Sequence, residues 1–353
     1  MLVTRELTRK VKIKDVVIGG GNPIAIQSMT NTKTENVDAT IKQIIELEEM
    51  GCDIVRVAVP NKEAAKAIEQ IVKNINIPLV ADIHFDYKLA LMAIENGVNK
   101  LRINPGNIGN EDRVRAVVEK AKAYKVPIRI GVNSGSISQE NLKKYDGVNA
   151  LSMVQSATEH IRILEELDFR DIIVSLKASN VPLAIETYKT FAEMYDYPLH
   201  VGITEAGTTY KGTIKSSVGL GAILSMGIGD TIRVSLSDHP VKEIECAQNV
   251  LQSLNLGVYG VEIIACPTCG RTEVPLIEIA NKVEQATKNL KKPLKIAVMG
   301  CAVNGPGEAK EADIGIAGGK GVGLIFKKGK IVKKVREDKM FETLMKEIEE
   351  MQS

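Results

Sequence analysis

Pro127-Ile-Arg-Ile-Gly-Val-Asn133 is a short run of β-branched residues with one arginine near its middle. A run of this length, bounded by turn residues and followed by a helical pattern, predicts a buried parallel strand. Seven further runs share this character: Ile24–Ser28, Asp53–Val59, Leu79–His84, Leu101–Asn104, Asp171–Lys177, Leu199–Glu205 and Thr231–Ser235. Amphipathic stretches typical of helices lie between them, such as Ala39–Met50 and Leu183–Met194.

The spacing of these runs predicts the architecture. Equivalent polar positions recur at intervals of 20 to 28 residues, with a single interval of 48. Eight strand–helix units in succession predict an α/β fold with a (β/α)8 TIM barrel. The long interval contains an insertion, Ser134–Glu159, in the loop after the fifth strand, on the side where loops carry function. A doubly wound sheet is the competing architecture, but the sequence has no GxGxxG fingerprint to support it.

The composition is that of a globular protein. The 353 residues are 44% hydrophobic and 25% charged, which excludes a disordered or fibrous chain. No segment approaches the roughly 20 apolar residues of a membrane span, and the first residues carry no apolar signal segment. The net charge of +2 and the absence of tryptophan argue against a nucleic-acid partner. We therefore expect a cytoplasmic protein without a membrane partner, in which the five cysteines are not a disulfide framework.

A second, smaller domain follows the barrel. The barrel pattern ends with a predicted helix at Val241–Leu254, so we place the barrel domain at residues 1–256 and an α+β domain at residues 257–353. A glycine-rich loop is expected near the middle of this second domain. The elements predicted there are the loop Cys266–Arg271, the helix Glu273–Leu290, the strand Leu294–Met299, the hairpin Val322–Val335 and the helix Lys339–Met351.

Basic residues interrupt five of the apolar strands toward their carboxyl ends, where barrel enzymes place their sites. They are Arg56, Arg102, Arg129, Lys177 and Arg233. Buried charges need partners, and Asp82 and Glu205 could pair with two of the five. The remaining positive charge predicts a polyanionic ligand, because guanidinium groups match phosphate oxygens. The alternative is a set of local ion pairs with acids such as Asp53 and Asp171.

Other polar residues accompany these cations. His84, at the end of the third strand, is either a structural histidine or a catalytic group. Neutral side chains that could bond to the same ligand lie two to four residues beyond the cations; they are Asn104, Asn133 and Ser235.

Three cysteines of the second domain occur in two motifs, Cys266-Pro-Thr-Cys-Gly-Arg271 and Gly300-Cys-Ala-Val-Asn-Gly-Pro-Gly-Glu308. The spacing of Cys266 and Cys269 lets both thiols bind one metal or cluster. Structural zinc takes four nitrogen or sulfur ligands, yet this domain has no fourth cysteine and all four histidines lie in the barrel. The pattern favours an iron–sulfur cluster with an unusual fourth ligand, for which Glu308 is the candidate. Structural zinc remains the alternative, and Cys52 and Cys246 of the barrel are expected to be buried and inert.

These motifs carry a family resemblance. They resemble the cluster motifs of the 4-hydroxy-3-methylbut-2-enyl diphosphate synthases of the methylerythritol phosphate pathway. Four barrel stretches resemble the same family: Pro23–Thr32, LRINPGN at 101–107, RIGVNSGS at 129–136 and TEAG at 204–207. The likeness covers nearly the whole chain, in the compact bacterial two-domain form. One departure is Asn36, where the family would have aspartate.

The resemblance implies a [4Fe-4S] cluster bound by Cys266, Cys269, Cys301 and Glu308. It implies two-electron reductive ring opening of 2-C-methyl-D-erythritol 2,4-cyclodiphosphate, with loss of a hydroxyl as water. The five barrel cations and Ser235 would hold the diphosphate. The residues that would line the reacting face are Asp82, Asn104, Asn133 and Glu205, with Glu205 as the proton donor. The catalytic candidates are thus Asp82, His84, Glu205 and Glu308.

Two partners are expected. The segment Phe326–Arg336 concentrates six cations, and is either an ordinary solvated hairpin or a docking patch for an acidic electron carrier such as flavodoxin or ferredoxin. A head-to-tail homodimer is expected because the last barrel helix should return the chain to the face opposite the cations. The cluster domain of one subunit would then serve the barrel of its partner.

Two other functions remain open. The first is a barrel enzyme of the pterin-binding type, which would not explain the second domain. The second is a non-enzymatic anion-binding protein, for RNA among other ligands, with zinc stabilising its second domain. Colour and iron content after anaerobic purification would separate an iron–sulfur enzyme from the zinc protein.

Overall fold

Eight parallel strands form the main sheet of the structure, a computed structural model that describes residues 2–288, 290, 292–301, 307 and 309–352. A short antiparallel pair, β1 (Val11–Ile13) and β2 (Val16–Ile18), precedes them. The eight strands are β3 Ala25–Met29, β4 Ile54–Ala58, β5 Leu79–Asp82, β6 Lys100–Ile103, β7 Ile128–Asn133, β8 Ile172–Lys177, β9 His200–Val201 and β10 Thr231–Ile232. Each of the eight predicted runs contains or overlaps one of these strands.

The sheet closes on itself. Neighbours pair in sequence order from β3 to β8, and β10 pairs with both β3 and β9. A parallel bridge between Val174 and Leu199 joins β8 to the start of the β9 segment, and Val174 N donates to Pro198 O at 3.0 Å. The prediction of a (β/α)8 barrel is confirmed, and the doubly wound alternative is wrong because an open sheet would leave these edges unpaired.

Helices surround the barrel: α1 Val37–Glu49, α2 Lys62–Lys73, α3 Tyr87–Glu95, α4 Pro105–Ile108, α5 Glu111–Tyr124, α6 Gln139–Lys144, α7 Ala150–Glu166, α8 Val181–Met194, α9 Thr209–Ser225 and α10 Pro240–Ser253. Asparagine side chains begin several of them. Asn61 accepts from Ala64 N at 2.8 Å, and Asn180 accepts from Leu183 N at 2.9 Å. Each bond satisfies a backbone donor that a helix start leaves unpaired, so these asparagines fix where the loops end.

The β1–β2 hairpin covers the amino-terminal end of the barrel. Its side chains Val11, Ile13 and Ile18 pack in one apolar cluster with the first residues of several strands, including Ala25 and Ile54. This hairpin was not predicted from the sequence, because two strands of three residues are too short for a periodic pattern. The polar residues at the opposite, carboxyl-terminal end lie beyond this apolar layer.

The chain divides into two compact units, Met1–Gly257 and Val258–Ser353. The second unit holds a five-stranded sheet in the order β11 Val261–Ala265, β12 Leu294–Met299, β13 Ile314–Gly319, β14 Val322–Lys327 and β15 Lys330–Arg336. The first three strands are parallel and the last three antiparallel. Helices α11 (Leu276–Thr287) and α12 (Met340–Gln352) contribute to one apolar core with the sheet.

Strand β13 occupies a segment for which a glycine-rich loop was expected. Its glycines permit close packing: a Cβ at Gly315 would lie 2.4 Å from Phe326 Cζ, and one at Gly318 2.6 Å from Val274 Cγ1. The glycines are therefore required by a crowded sheet and not by a loop. Among the described residues, no helix is long and apolar enough to cross a membrane.

Candidate active site

The barrel brings the predicted basic residues together, although Arg129 is the second residue of β7 and not near its carboxyl end as expected. Arg56 lies in β4, Arg102 in β6 and Arg129 in β7, while Lys177 ends β8 and Arg233 directly follows β10. All are largely withdrawn from solvent; Arg129 is 1% exposed and Lys177 8%. The cations thus line the inside of one end of the barrel, which we call the mouth.

Two glycines make room for these long side chains. A Cβ at Gly131 would lie 2.8 Å from Arg102 Nε, and a Cβ at Gly202 would lie 2.8 Å from Lys177 Nζ. Both contacts are closer than real Cβ atoms allow, so the absent side chains leave space for the cations inside the barrel.

Asp82, at the end of β5, is the counter-ion of two arginines. Its Oδ1 lies 3.3 Å from Arg102 Nη1, and its Oδ2 lies 3.9 Å from Arg56 Nε and 3.5 Å from His84 Nε2. Burial alone would raise the pKa of this carboxyl, but the hydrogen bond with His84 and the charges of Arg56 and Arg102 outweigh it and hold the pKa well below its usual range. Asp82 therefore stays ionised and fixes both guanidiniums at the mouth, while half of the His84 side chain remains exposed.

Glu205 does not supply the second counter-ion, contrary to expectation. Its side chain is exposed, lies in the loop after β9 at a φ of +52°, and forms no ion pair within the described part of the chain. Glu243, in the first turn of α10 and 4% exposed, takes this role: it accepts from Arg233 Nε and Nη2, both at 3.2 Å. The sequence held a signal for it, because Glu243 shares a helix face with the buried Ala247 and Val250.

Arg129 and Lys177 have no acidic partner among the described residues. Nε and Nη1 of Arg129 are buried without a hydrogen-bond partner there. Burial lowers the pKa of both groups well below the usual range, and the neighbouring cations lower it further. The mouth therefore presents uncompensated positive charge that an anionic ligand would neutralise.

One buried cation was missed from the sequence. Lys100, at the start of β6, is fully buried and donates to Gln27 Oε1 at 3.2 Å. Burial and the charge of Arg129 lower its pKa well below the usual range. Strand alternation could have found it, because Lys100 lies two residues before Arg102 and so shares its face.

The neutral polar candidates also lie at this end of the barrel. Asn104 Oδ1 accepts from Gly131 N at 3.0 Å and so joins the ends of β6 and β7. Asn133 N donates to Ser136 Oγ at 3.1 Å in the short turn that opens the insertion. Ser235 is half-buried in the loop after β10.

The cysteine motifs meet in the second unit. Cys266 directly follows β11, and Cys301 lies just beyond β12, its parallel neighbour. Gly300 N donates to Cys266 Sγ at 3.2 Å, which joins the two loops. Cys269 is exposed, and hydrogen bonding to Arg271 lowers the pKa of its thiol. Among the described residues no three His, Cys, Asp or Glu side chains already form a metal site, and Glu308 lies outside the described residues.

The two barrel cysteines are inert, as expected. Cys52 and Cys246 are buried, and burial raises the pKa of the Cys52 thiol to about 12. A thiol that stays protonated at neutral pH is neither a metal ligand nor a nucleophile.

Comparisons with known proteins cover the whole chain. The family model described as the GcpE TIM-barrel domain matches residues 8–248, and that of the GcpE protein C-terminal domain matches residues 262–350. A relative from Caldanaerobacter subterraneus subsp. tengcongensis is 60% identical over 351 residues, 99% of each chain. One from Geobacillus thermodenitrificans is 61% identical over 350 residues, 99% of this chain and 94% of that protein. Both are named 4-hydroxy-3-methylbut-2-en-1-yl diphosphate synthase (flavodoxin).

Solved structures are similar in fold alone. Dihydropteroate synthase from Stenotrophomonas maltophilia superposes with a TM-score of 0.51 at 13% identity, covering 70% of this chain and 98% of that one. N-acetylneuraminic acid synthetase from Leptospira borgpetersenii gives a TM-score of 0.50 at 12% identity, covering 80% and 98%. These two likenesses indicate a shared barrel fold and carry no information on function. Function is inferred from the family models and the full-length relatives. On those matches, the chain belongs to the GcpE family.

Proposed function

We propose that this chain catalyses the reductive ring opening of 2-C-methyl-D-erythritol 2,4-cyclodiphosphate to 4-hydroxy-3-methylbut-2-enyl diphosphate, a step of isoprenoid precursor biosynthesis. The observation that carries the proposal is a buried mouth with uncompensated positive charge in a chain that also brings two cysteine motifs together. The names of the full-length relatives agree with it. A pterin-binding barrel enzyme would leave the cysteine motifs without a role, and a structural zinc would need a fourth nitrogen or sulfur ligand that the sequence of the second domain does not contain.

The mouth would bind the diphosphate. Arg129 and Lys177 carry charge that no described acid compensates, so they are the strongest anchors for phosphate oxygens. Arg56 and Arg102 are held in place by Asp82, and Arg233 by Glu243, so these three arginines are oriented before the substrate arrives. Because these side chains are already oriented, they lose less conformational entropy when the substrate binds. Ser235 and Asn133 would add neutral hydrogen bonds.

The reacting face would be lined by Asp82, His84, Asn104 and Glu205. Asp82 is held ionised by His84 and its two arginines, so it would position groups and not donate a proton. Glu205 is exposed in the loop after β9, and we propose its carboxyl as the proton donor to the departing hydroxyl. The half-exposed His84, whose Nε2 lies 3.5 Å from Asp82 Oδ2, would help to orient this carboxylate.

The second unit would hold a [4Fe-4S] cluster through Cys266, Cys269 and Cys301, with Glu308 as the fourth ligand. The residues fit this group: thiols lie at the ends of two adjacent strands, the pKa of Cys269 is lowered, and an amide donates to the Cys266 sulfur. When bound, the cluster supplies the electrons for a reduction that expels one substrate oxygen as water. The chain's own part is to orient the substrate and to exclude bulk water from it.

Glu308 offers a specific test of the ligand set. A carboxylate is a hard ligand on a soft cluster, so the iron that it binds should exchange ligands most readily. We expect Glu308→Ala to retain much of its iron and lose nearly all turnover. Iron content and the absorption spectrum are measured on the same anaerobic sample as the rate. Wild-type turnover in this variant would remove Glu308 from the site.

The relatives' names include flavodoxin, and we propose an acidic electron carrier of that kind, or a ferredoxin, as the electron donor. We also propose a head-to-tail homodimer. Helix α10 follows β10 at the mouth and runs back, since Gln248 Nε2 donates to Met50 O at 2.7 Å just before the start of β4. The chain thus leaves the first unit at the face opposite the mouth.

Anaerobic turnover of the cyclic diphosphate with a chemical reductant tests the proposed function directly. We expect brown protein with about four irons per chain and release of the linear diphosphate. A Cys301→Ser variant, which removes one thiol, is the matched control and should lose both colour and turnover. Colourless protein with stoichiometric zinc and no product would overturn the proposal.

A further inference from the structure

Glu243 is a buried carboxylate that was not among the site residues predicted from the sequence. It sits on α10, outside the strands, yet it reaches three other parts of the mouth. Ser28 Oγ in β3 donates to Oε2 at 3.0 Å, Arg233 Nε donates to Oε2 at 3.2 Å, and Arg233 Nη2 and Leu236 N donate to Oε1, each at 3.2 Å. Each oxygen therefore accepts two hydrogen bonds, and the donors come from β3 and from the segment that follows β10.

The ion pair with Glu243 determines which N–H groups of Arg233 remain free to bind a ligand. Nε and one side of Nη2 face Glu243 in a bidentate arrangement, which allows one orientation of the planar guanidinium. Nη1 lies 3.8 Å from Met29 Sδ, and the same sulfur accepts from Arg56 Nε at 3.0 Å and Nη2 at 2.9 Å. Two arginines from strands on either side of β3 thus meet at one thioether.

Glu243 has two candidate roles, which predict opposite effects on anion binding. A carboxylate that only cancelled charge would weaken anion binding, because it makes the mouth less positive. One that holds Arg233 in a single orientation would strengthen anion binding, because a free arginine must be ordered when the ligand binds. The four hydrogen bonds to Glu243 and its 4% exposure favour the second role.

We propose that Glu243 is a positioning residue that acts through Arg233 and presents the free edge of this guanidinium to the diphosphate. The inference rests on the proposed function only in taking a diphosphate as the ligand of the mouth. Ser28 contributes to the same positioning of Arg233, since its hydroxyl donates to the Glu243 carboxylate from β3.

A double-mutant cycle tests this coupling, with inorganic pyrophosphate as the probe and calorimetry as the measurement. We expect Glu243→Gln and Arg233→Met each to weaken pyrophosphate binding about 5- to 20-fold. In the Arg233→Met background, Glu243→Gln should no longer weaken binding, because Glu243 then has no guanidinium to position and its neutralisation only makes the mouth more positive. Replacing both members of a buried ion pair is also better tolerated than removing one, so the double variant should fold.

The control cycle combines Arg233→Met with Asp53→Asn. Asp53 Oδ2 accepts from Ile26 N at 2.7 Å near the amino-terminal end of the strands, away from the mouth. Its effect on affinity should multiply with that of Arg233→Met. If Glu243→Gln does not fold, Glu243→Asp keeps the charge with a shorter reach and should show a smaller loss that is again absent in the Arg233→Met background.

Several outcomes would overturn the inference. Independent, multiplying effects of Glu243→Gln and Arg233→Met would show that Glu243 does not act through Arg233, and tighter pyrophosphate binding by Glu243→Gln would show that it only cancels charge. Turnover of the cyclic diphosphate by the wild-type holoenzyme is measured in parallel. If the wild-type holoenzyme turns over the substrate but the effects of the two variants multiply, only the positioning role of Glu243 is refuted. If the wild-type protein shows neither turnover nor pyrophosphate binding, the proposed function and the inference are refuted together.

Discussion

Arg129 is the residue in which burial and charge conflict most strongly. It is 1% exposed, two of its nitrogens have no partner among the described residues, and its neighbours include further cations. An unpaired buried charge lowers the stability of the free protein, since no ion pair or hydrogen bond offsets the free energy of desolvation. Such a residue persists when a ligand supplies the missing counter-charge. The same property that makes Arg129 unfavourable for folding makes it suitable for anion binding.

We expect Arg129→Met to weaken binding of the cyclic diphosphate and to leave the protein at least as stable. A charge-assisted hydrogen bond is worth roughly 1.5–3 kcal/mol, so the KM should rise on the order of 10- to 100-fold. Methionine keeps much of the side-chain volume without the charge. The checks are steady-state kinetics and a thermal melt of the same sample. An unchanged KM together with a lowered melting temperature would make Arg129 a structural residue.

Asp230 is a second buried ionisable residue, at the opposite end of the barrel. Its Oδ2 accepts from Leu199 N at 2.7 Å and its Oδ1 from Thr8 Oγ1 at 2.8 Å. Burial raises the pKa of this carboxyl to about 6, from 3.8, against the effect of those hydrogen bonds. Because the folded pKa is the higher one, the stability gained from protonation is fully present below pH 3.8 and is lost as the pH rises through 6.

We expect Asp230→Asn to stabilise the protein at pH 7.5 by up to roughly 2–3 kcal/mol, and to have little effect at pH 4. The asparagine oxygen can still accept from Leu199 N, and its amide can donate to Thr8 Oγ1, which itself also donates to Arg5 O at 2.9 Å. Chemical unfolding across this pH range is the measurement, with the exposed Asp15→Asn as the control. A loss of stability at pH 7.5 would mean that the ionised form of Asp230 is the one that the fold requires.

At the scale of elements, the β14–β15 hairpin separates its cations into two groups. Lys327 Nζ lies 2.7 Å from Glu347 Oε2, and Lys333 also pairs with Glu347, a nearly buried residue of α12. Arg336 pairs with Asp338 at 3.0 Å. These three residues hold the hairpin to its own unit. The others, Lys328, Lys330 and Lys334, are exposed and form no ion pair within the described residues.

The docking alternative therefore predicts that Lys328, Lys330 and Lys334 provide the contact with the carrier protein. Replacing all three by glutamine should slow turnover driven by an acidic carrier protein about 5- to 20-fold at low salt, and less at high salt, because salt screens exposed charges. Turnover with a small chemical reductant should not change. A triple glutamine variant of the exposed barrel residues Lys66, Lys88 and Lys125 is the control with the same change in charge. Equal slowing with both reductants would refute docking at this hairpin.

At the scale of the whole molecule, the path of the chain matters most. The basic mouth lies at the carboxyl ends of the strands, and α10 carries the chain away from it before the second unit begins. The proposed cluster of the second unit would nevertheless have to reach the substrate to transfer electrons. The proposed head-to-tail dimer would meet both requirements, since each second unit would serve the barrel of the other subunit.

Mixing two impaired variants, with the cyclic diphosphate near the wild-type KM, tests this arrangement. Arg129→Met impairs the mouth and Cys301→Ser impairs the cluster site. After subunit exchange, heterodimers contain one composite site in which both parts are intact. We expect turnover to recover to roughly a quarter of the wild-type value at equal mixing, since about half of the dimers are then mixed and each has one working site. No recovery, with exchange confirmed by differently tagged chains, would show that each chain uses its own cluster.

The sequence by itself determined the barrel, the positions of the basic residues in it, and the spacing that lets Cys266 and Cys269 bind one metal or cluster. All three follow from local patterns: β-branched runs at regular spacing, a charge at a fixed place within each run, and thiols a few residues apart. Such patterns depend on neighbours along the chain, and the strands Ile128–Asn133 and Leu294–Met299 were predicted almost to the residue.

The tertiary structure alone decided which acids neutralise which bases. Glu243 lies 215 residues from Ser28, and only the packing of α10 beside β3 brings their side chains together. Glu205 was expected at the end of strand β9, but β9 ends at Val201. Glu205 lies in the following loop at a positive φ, so its side chain does not follow the alternation of the strand. Contacts between distant segments depend on how the elements pack, which periodicity along the chain does not encode.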